Sequence, residues 1–190
     1  MIEVYDDLFA HDFLVDLYKT CVKKVDWQYT NTANRSQYPD GSILAKGSHN
    51  FFGRRIFSHK TRYNVENFAP DQFFEVLEHV VFNVLKKENL HLMAIDCNLQ
   101  VMGQNGTSHR DVSLDNTVND RTIMFYPHYE WKDEWGGALE IIENDKVIDK
   151  IFPCPGRVVY FDSSVHHRAL APDIPDIGRI SIAYRLNELL

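Results

Sequence analysis

The sequence lacks any apolar run long enough to span a bilayer, which would take about 20 consecutive residues in a helix. Its start, "MIEVYDDLFA", is acidic and has no basic segment followed by an apolar one, so a secretory leader is not expected. A soluble, cytoplasmic protein with no membrane partner follows as the expectation. Cysteine is scarce: Cys21, Cys97 and Cys154 are an odd number, far apart, without C-x-x-C spacing. That excludes a disulfide framework as the organising device and fits buried thiols in a reducing compartment. Positive charge is not in surplus either. The formal net charge is −7, whereas proteins that grip phosphate backbones need clustered cations, so a nucleic-acid partner is not expected. No glycine-rich phosphate loop, internal repeat or low-complexity tract is present.

What the chain does have is an ordinary globular composition, 44% hydrophobic and 25% charged over 190 residues, enough to bury one full core. Two segments carry the 3.6-residue period of an amphipathic helix. "HDFLVDLYKTCVKKV" puts Phe13, Leu14, Leu17, Tyr18, Cys21, Val22 and Val25 on one stripe, and "PDQFFEVLEHVVFNVLKKE" does the same with Phe73, Phe74, Leu77, Val80, Val81, Val84 and Leu85 behind Pro70. From residue 91 the pattern changes to short apolar or alternating runs: "LMAIDCNLQVM", "RTIMFYPH", "GALEIIE", "KVIDKIF", "GRVVYF", "HHRALA" and "GRISIAYRL". Turn-forming residues separate them. The predicted fold is mostly β with flanking helices, an antiparallel β-sandwich or jelly roll with two N-terminal helices packed on its outside. One domain over 1–190 is expected, with helical support and a loop in 1–90 and the jelly-roll core in 91–190. The loop lies between Gly41 and Val65, where five basic residues, no acidic ones, and Phe51, Phe52, Phe57 and Tyr63 are interleaved.

The stretch "SHRDVS" sets His109 and Asp111 two apart, so on a strand they share a face while Arg110 points away. A later segment supplies His166 and His167, neighbours on a strand that face opposite ways, so only one can join them. Two histidines and a carboxylate on one face of a metal leave open positions, the pattern of non-haem Fe(II) oxygenases. Arg179 and Ser181 are again two apart, and a guanidinium can hold a carboxylate by two parallel hydrogen bonds.

Taken in order, "GQNGTSHRD", "MFYPHYEWKDEWGGALEI", "FPCPGRVVYFDSSVHHRALAP" and "RISIAYRL" resemble the motifs of 2-oxoglutarate and Fe(II)-dependent dioxygenases. They are similar to the prolyl 4-hydroxylase branch with its phage and bacterial relatives. The resemblance covers nearly the whole chain. It implies a double-stranded β-helix, Fe(II), 2-oxoglutarate and O2, and hydroxylation of an unactivated C–H bond. By the resemblance His109, Asp111 and His167 are the iron ligands. Arg179, with Ser181 beside it, binds the distal carboxylate of 2-oxoglutarate, and Tyr126 and Thr122 are further cosubstrate contacts.

Two departures stand out. Gln100 replaces the family's tyrosine before the glycine-glutamine turn, and "YPH" stands where Y-L-N is usual. The implied substrate is a prolyl or other peptidyl residue. A free amino acid or other small molecule is the alternative, and a non-catalytic metal- or ligand-binding jelly roll is the reading from another class. His49, His59, His79, His91 and His128 read as ordinary surface or loop residues. "WGG" reads as a tight strand entry without a chemical role.

Overall fold

The computed structural model describes residues 1–31, 50–59, 69–111 and 119–189. Both predicted helices form. Helix α1 (His11–Lys24) carries Asp12 in its first turn and Lys23 and Lys24 in its last, matching the helix dipole, and buries Leu14, Leu17 and Cys21. Helix α2 (Asp71–Glu78) buries Phe73, Val76 and Leu77 and continues as a π-helical segment, His79–Leu85, that stops at the left-handed Lys86. The Thr20 hydroxyl donates to Gln72 at 2.7 Å and ties the two helices together. Among the described residues no helix is long and apolar enough to cross a membrane.

Ten strands make two sheets: β1 (Ile2–Tyr5), β2 (Gln28–Asn31), β3 (Phe51–Ser58), β4 (Leu90–Gln100), β5 (Asn119–Phe125), β6 (Leu139–Glu143), β7 (Lys146–Ile151), β8 (Val158–Asp162), β9 (His166–Ala169) and β10 (Arg179–Glu188). The major sheet runs β1-β8-β5-β10-β4-β3-β2 and the minor sheet β7-β6-β9. Every pairing between them is antiparallel. This is the jelly roll that the run of short strands predicts.

The N-terminal portion corrects the sequence reading. It supplies three strands of the major sheet as well as helices, and part of the basic aromatic stretch is β3, paired along β4. Residues 41–49, His49 among them, and 60–65 of that stretch lie outside the described residues. Strand β3 is hard to read because a bulge between Arg55 and Phe57 breaks its alternation and a charged residue, Arg55, faces inward.

The two-residue period divides each central strand between two cores. Ile123 and Phe125 of β5, Val158 and Tyr160 of β8, and Ile180, Ile182 and Tyr184 of β10 pack with both helices. Met124, Val159, Phe161 and Ala183, one residue along, face Leu139, Ile141 and Ile151 between the sheets. Each fully buried Phe, Leu or Ile side chain contributes about 1.5–3 kcal/mol. The Tyr184 hydroxyl donates to the Phe73 carbonyl at 2.9 Å, so the helix layer is also pinned by a polar contact. Cys21 and Cys97 lie in the helix-side core, and burial pushes the Cys21 thiol up to about 12, which makes it inert. Cys154 is only half-buried.

Candidate active site

His109 belongs to no regular strand, unlike the sequence expectation. It forms an isolated antiparallel bridge with His167, each amide donating to the other's carbonyl at 2.9 and 3.0 Å. The bridge is what joins residues 58 positions apart, because His167 is carried on β9 against β6. The Asp111 amide is fixed in turn by the Ser163 carbonyl at 2.9 Å.

The side chains of His109, Asp111 and His167 each bring one ligand atom to within 4.8 Å of the others. His109 Nε2 lies 3.6 Å from Asp111 Oδ1, and His167 Nε2 lies 3.7 Å from Asp111 Oδ2. Both Nδ1 atoms face backbone carbonyls, of Thr107 at 2.9 Å and Val165 at 3.0 Å. A carbonyl only accepts, so each Nδ1 carries the hydrogen and each Nε2 lone pair is turned to the centre. Burial, then the nearby His109, pushes His167 down to about 4, keeping it neutral near pH 7. Burial alone would raise the Asp111 carboxyl, but Arg185, His167, His109 and the Thr122 hydroxyl together hold it well below the usual range. Two lone pairs and a carboxylate converging without a proton to bridge them fit a divalent cation. His166 faces the other way, as the alternation requires; Arg110 Nε donates to its Nε2.

Arg179 is fully buried. Its Nε donates to the Gly137 carbonyl at 2.7 Å, one terminal nitrogen to Gln100 Oε1 at 3.1 Å and Ser181 Oγ at 3.3 Å, and the other to the Tyr126 hydroxyl at 3.0 Å. None of these partners is charged. A buried guanidinium without an anion among the described residues is costly, and the remaining donor with the Tyr126 O–H fits an incoming carboxylate. Burial pushes the Tyr126 phenol up, so that proton is retained.

Several residues take places the sequence did not indicate. Thr122, expected beside the cosubstrate, donates to Asp111 Oδ2 at 3.1 Å and pairs with Ser163 at 2.9 Å; it stands four residues, roughly 13 Å of strand, from Tyr126. Gln100 donates to the Gln104 and Ala169 carbonyls at 2.7 and 3.2 Å while accepting from Arg179, so it orients that arginine. His128 is no surface residue. It is 4% exposed and accepts the Ile180 amide at 3.0 Å, and burial pushes it down to about 3. Gly137, at φ +76°, also matters: a Cβ there would meet Trp131 at 2.9 Å and Arg179 at 3.2 Å.

Arg185 was missed altogether. Its two terminal nitrogens reach Asp111, Oδ1 at 3.0 Å and the carbonyl at 3.2 Å, while Nε donates to Asp96 at 3.1 Å. Its spacing of six from Arg179 puts it on the same face of β10, the one signal that could have found it. These groups line a cavity of about 260 Å³ that contains the His109, Asp111 and His167 side chains, with Gln100 and Ser181 on its wall.

The family model described as the 2OG-Fe(II) oxygenase superfamily matches residues 97–185. Among solved structures, a prolyl-4-hydroxylase from Pseudomonas putida is 17% identical with a TM-score of 0.65, covering 100% of this chain and 92% of that one. The viral collagen prolyl hydroxylase of Paramecium Bursaria Chlorella virus-1, in a 2OG complex, is 15% identical with a TM-score of 0.61, covering 99% and 96%. A prolyl hydroxylase from Trichoplax adhaerens, in complex with a hypoxia inducible factor peptide fragment, is 12% identical with a TM-score of 0.65, covering 98% and 83%. At these identities the likeness is one of fold. Among curated proteins no sequence matches this chain.

Proposed function

We propose that this chain is a 2-oxoglutarate- and Fe(II)-dependent oxygenase, a peptidyl hydroxylase acting on proline; the match of residues 97–185 to the model of the 2OG-Fe(II) oxygenase superfamily supports the chemistry, which uses Fe(II), 2-oxoglutarate and O2. In this reading 1–190 works as one domain. His109 Nε2, Asp111 and His167 Nε2 hold the iron, and Arg179 holds the distal carboxylate of 2-oxoglutarate with Tyr126 and Ser181 beside it. Bound iron supplies the oxidising chemistry by which substrate, O2 and 2-oxoglutarate become hydroxylated product, succinate and CO2.

The protein's own part is orientation. Thr122 and Arg185 fix the two Asp111 oxygens, the Thr107 and Val165 carbonyls fix both imidazole tautomers, and Gln100 and Gly137 fix Arg179. Holding these groups before substrate arrives removes their reorganisation from the reaction. Met124, Leu139 and Ala183 give the cavity an apolar wall against which a substrate carbon would pack.

The observation that carries the reading is the convergence of three side chains able to ligate a metal in one cavity, with a buried arginine that lacks an anionic partner among the described residues behind them. The prolyl substrate is supported by the prolyl hydroxylase folds and the peptide bound by one of them. Succinate release with Fe(II) and 2-oxoglutarate, against proline-containing peptides and free amino acids, is the test. Stimulation by peptides is expected. Stimulation by free amino acids alone overturns the peptidyl assignment, and absence of 2-oxoglutarate binding together with an inert Arg179→Ala overturns the whole reading.

A further inference from the structure

Among the described residues the cavity carries a charge the proposed reaction leaves unbalanced. Among the described residues, its lining includes Arg55, Arg110 and Arg185 against Asp96 and Asp111. Arg179 behind the lining adds one more positive charge. Three lining arginines less two aspartates leave +1, and Arg179 makes +2. Iron brings two positive charges and 2-oxoglutarate two negative ones, so loading the site does not alter that surplus. The whole chain stands at −7, so this concentration of cations runs against the composition around it.

The cations are also arranged. Arg55 on β3 grips both oxygens of Asp96 on β4, at 2.8 and 2.9 Å, and Arg185 on β10 donates to the same carboxylate at 3.1 Å. One aspartate thus holds two guanidinium groups side by side on a wall of the cavity. Arg185 spends its donors on Asp96 and Asp111, whereas Arg55 spends Nε and one terminal nitrogen, leaving the other terminal nitrogen without a hydrogen-bond acceptor among the described residues. The Arg55 side chain is 36% exposed, while Met124, Leu139 and Ala183 in the same cavity are buried. Cationic donors therefore stand toward solvent and hydrocarbon surface lies inside.

We infer that the substrate is a carboxylate-bearing molecule whose aliphatic part enters the cavity while its carboxylate docks on Arg55, with Arg110 adding positive potential at the rim. This rests on the oxygenase reading above and names the substrate class that reading leaves open. The shared chemistry is the carboxylate. It can come from an acidic residue of a peptide or from the α-carboxylate of a free amino acid, and a guanidinium recognises either through charge-assisted hydrogen bonds.

The test uses the full chain loaded with Mn(II) and 2-oxoglutarate, titrated with matched probes. Proline peptides flanked by Glu are compared with the same peptides flanked by Gln, and proline with prolinamide. The acid should bind about tenfold tighter than its amide in one pair, which identifies the source. That preference should shrink between about 50 and 500 mM NaCl. Arg55→Gln should reduce the ratio to about one, and Arg55→Lys, which keeps the charge, should retain part of it. Equal binding within both pairs, no binding by any probe, a preference untouched by Arg55→Gln, or tighter binding of single-stranded DNA overturns the inference. Conversion of 2-oxoglutarate to succinate by the wild-type Fe(II) protein is followed in parallel. Loss of that conversion condemns the oxygenase reading, while conversion without an acid preference condemns only the carboxylate.

Discussion

The Arg185 guanidinium lies 3.0 Å from Oδ1 of Asp111, a carboxylate with only 3% of its side chain exposed. The pair gives the buried anion a permanent cation, independent of any metal. Arg185→Met removes that cation and leaves the charge uncompensated. The metal-free protein should lose about 2 kcal/mol, less than for a fully enclosed pair because Arg185 is partly solvated. A divalent ion replaces the missing charge, so Mn(II) should raise the melting temperature of the variant more than that of the wild type. Equal increments would show that Asp111 does not depend on Arg185.

Alanine at His109, Asp111 or His167 should abolish tight Mn(II) binding, measured by titration against the EPR signal of the free ion. Arg110→Ala should leave it intact, because Arg110 turns to His166 rather than to the triad. Parallel loss in all four variants would contradict the geometry.

Gly137→Ala should act on the cosubstrate and not on the metal. The added methyl meets Trp131 and the Arg179 side chain, at a backbone angle that alanine rarely adopts. The dissociation constant for 2-oxoglutarate should rise about tenfold, equivalent to about 1.4 kcal/mol, with Mn(II) affinity unchanged. Calorimetric titration of each ligand separates the two effects.

His128 sets an acid limb of stability. Burial holds it near 3 in the folded chain, below the roughly 6.5 of an unfolded histidine. Between those values the unfolded chain binds a proton that the folded one refuses, so stability is complete above about pH 6.5 and falls as pH drops toward 3. The deficit at pH 5 is about 2 kcal/mol. His128→Gln keeps an acceptor for the Ile180 amide without titrating, so the wild-type-minus-variant stability difference should fall by that amount from pH 7 to pH 5. A difference independent of pH would mean His128 titrates normally.

The elements legible in the sequence are those whose cause is local. The stripes of α1 and α2, and the alternation of β4, β5, β8 and β10, follow from side-chain spacing, whereas His109 and Asp111 are brought together by a lone bridge to His167 and a backbone bond from Ser163 rather than by a strand. The choice of His167 over His166 needed the motif context as well. The cation at Asp96 and Asp111 was invisible because Arg55 and Arg185 meet through cross-strand register, which no window of sequence contains. The hydrogen bonds of Gln100 and Thr122 were not legible for a related reason: their partners lie on other strands and on loops. His128 looked like a loop residue because its partner, the Ile180 amide, is 52 positions away.

Strand β10 has two separate constituencies. Odd positions from Ser181 to Arg185 line the cavity, with Arg179 buried behind them, and even positions from Ile180 to Leu186 belong to the helix-side core. Point changes can therefore retune specificity or stability one at a time, which makes the strand permissive to substitution. Deleting a single residue within it would exchange the two sets at once, sending isoleucines into the cavity and a guanidinium into the core. A library that varies only the odd positions should keep a high folded fraction, while even one-residue length changes should eliminate it.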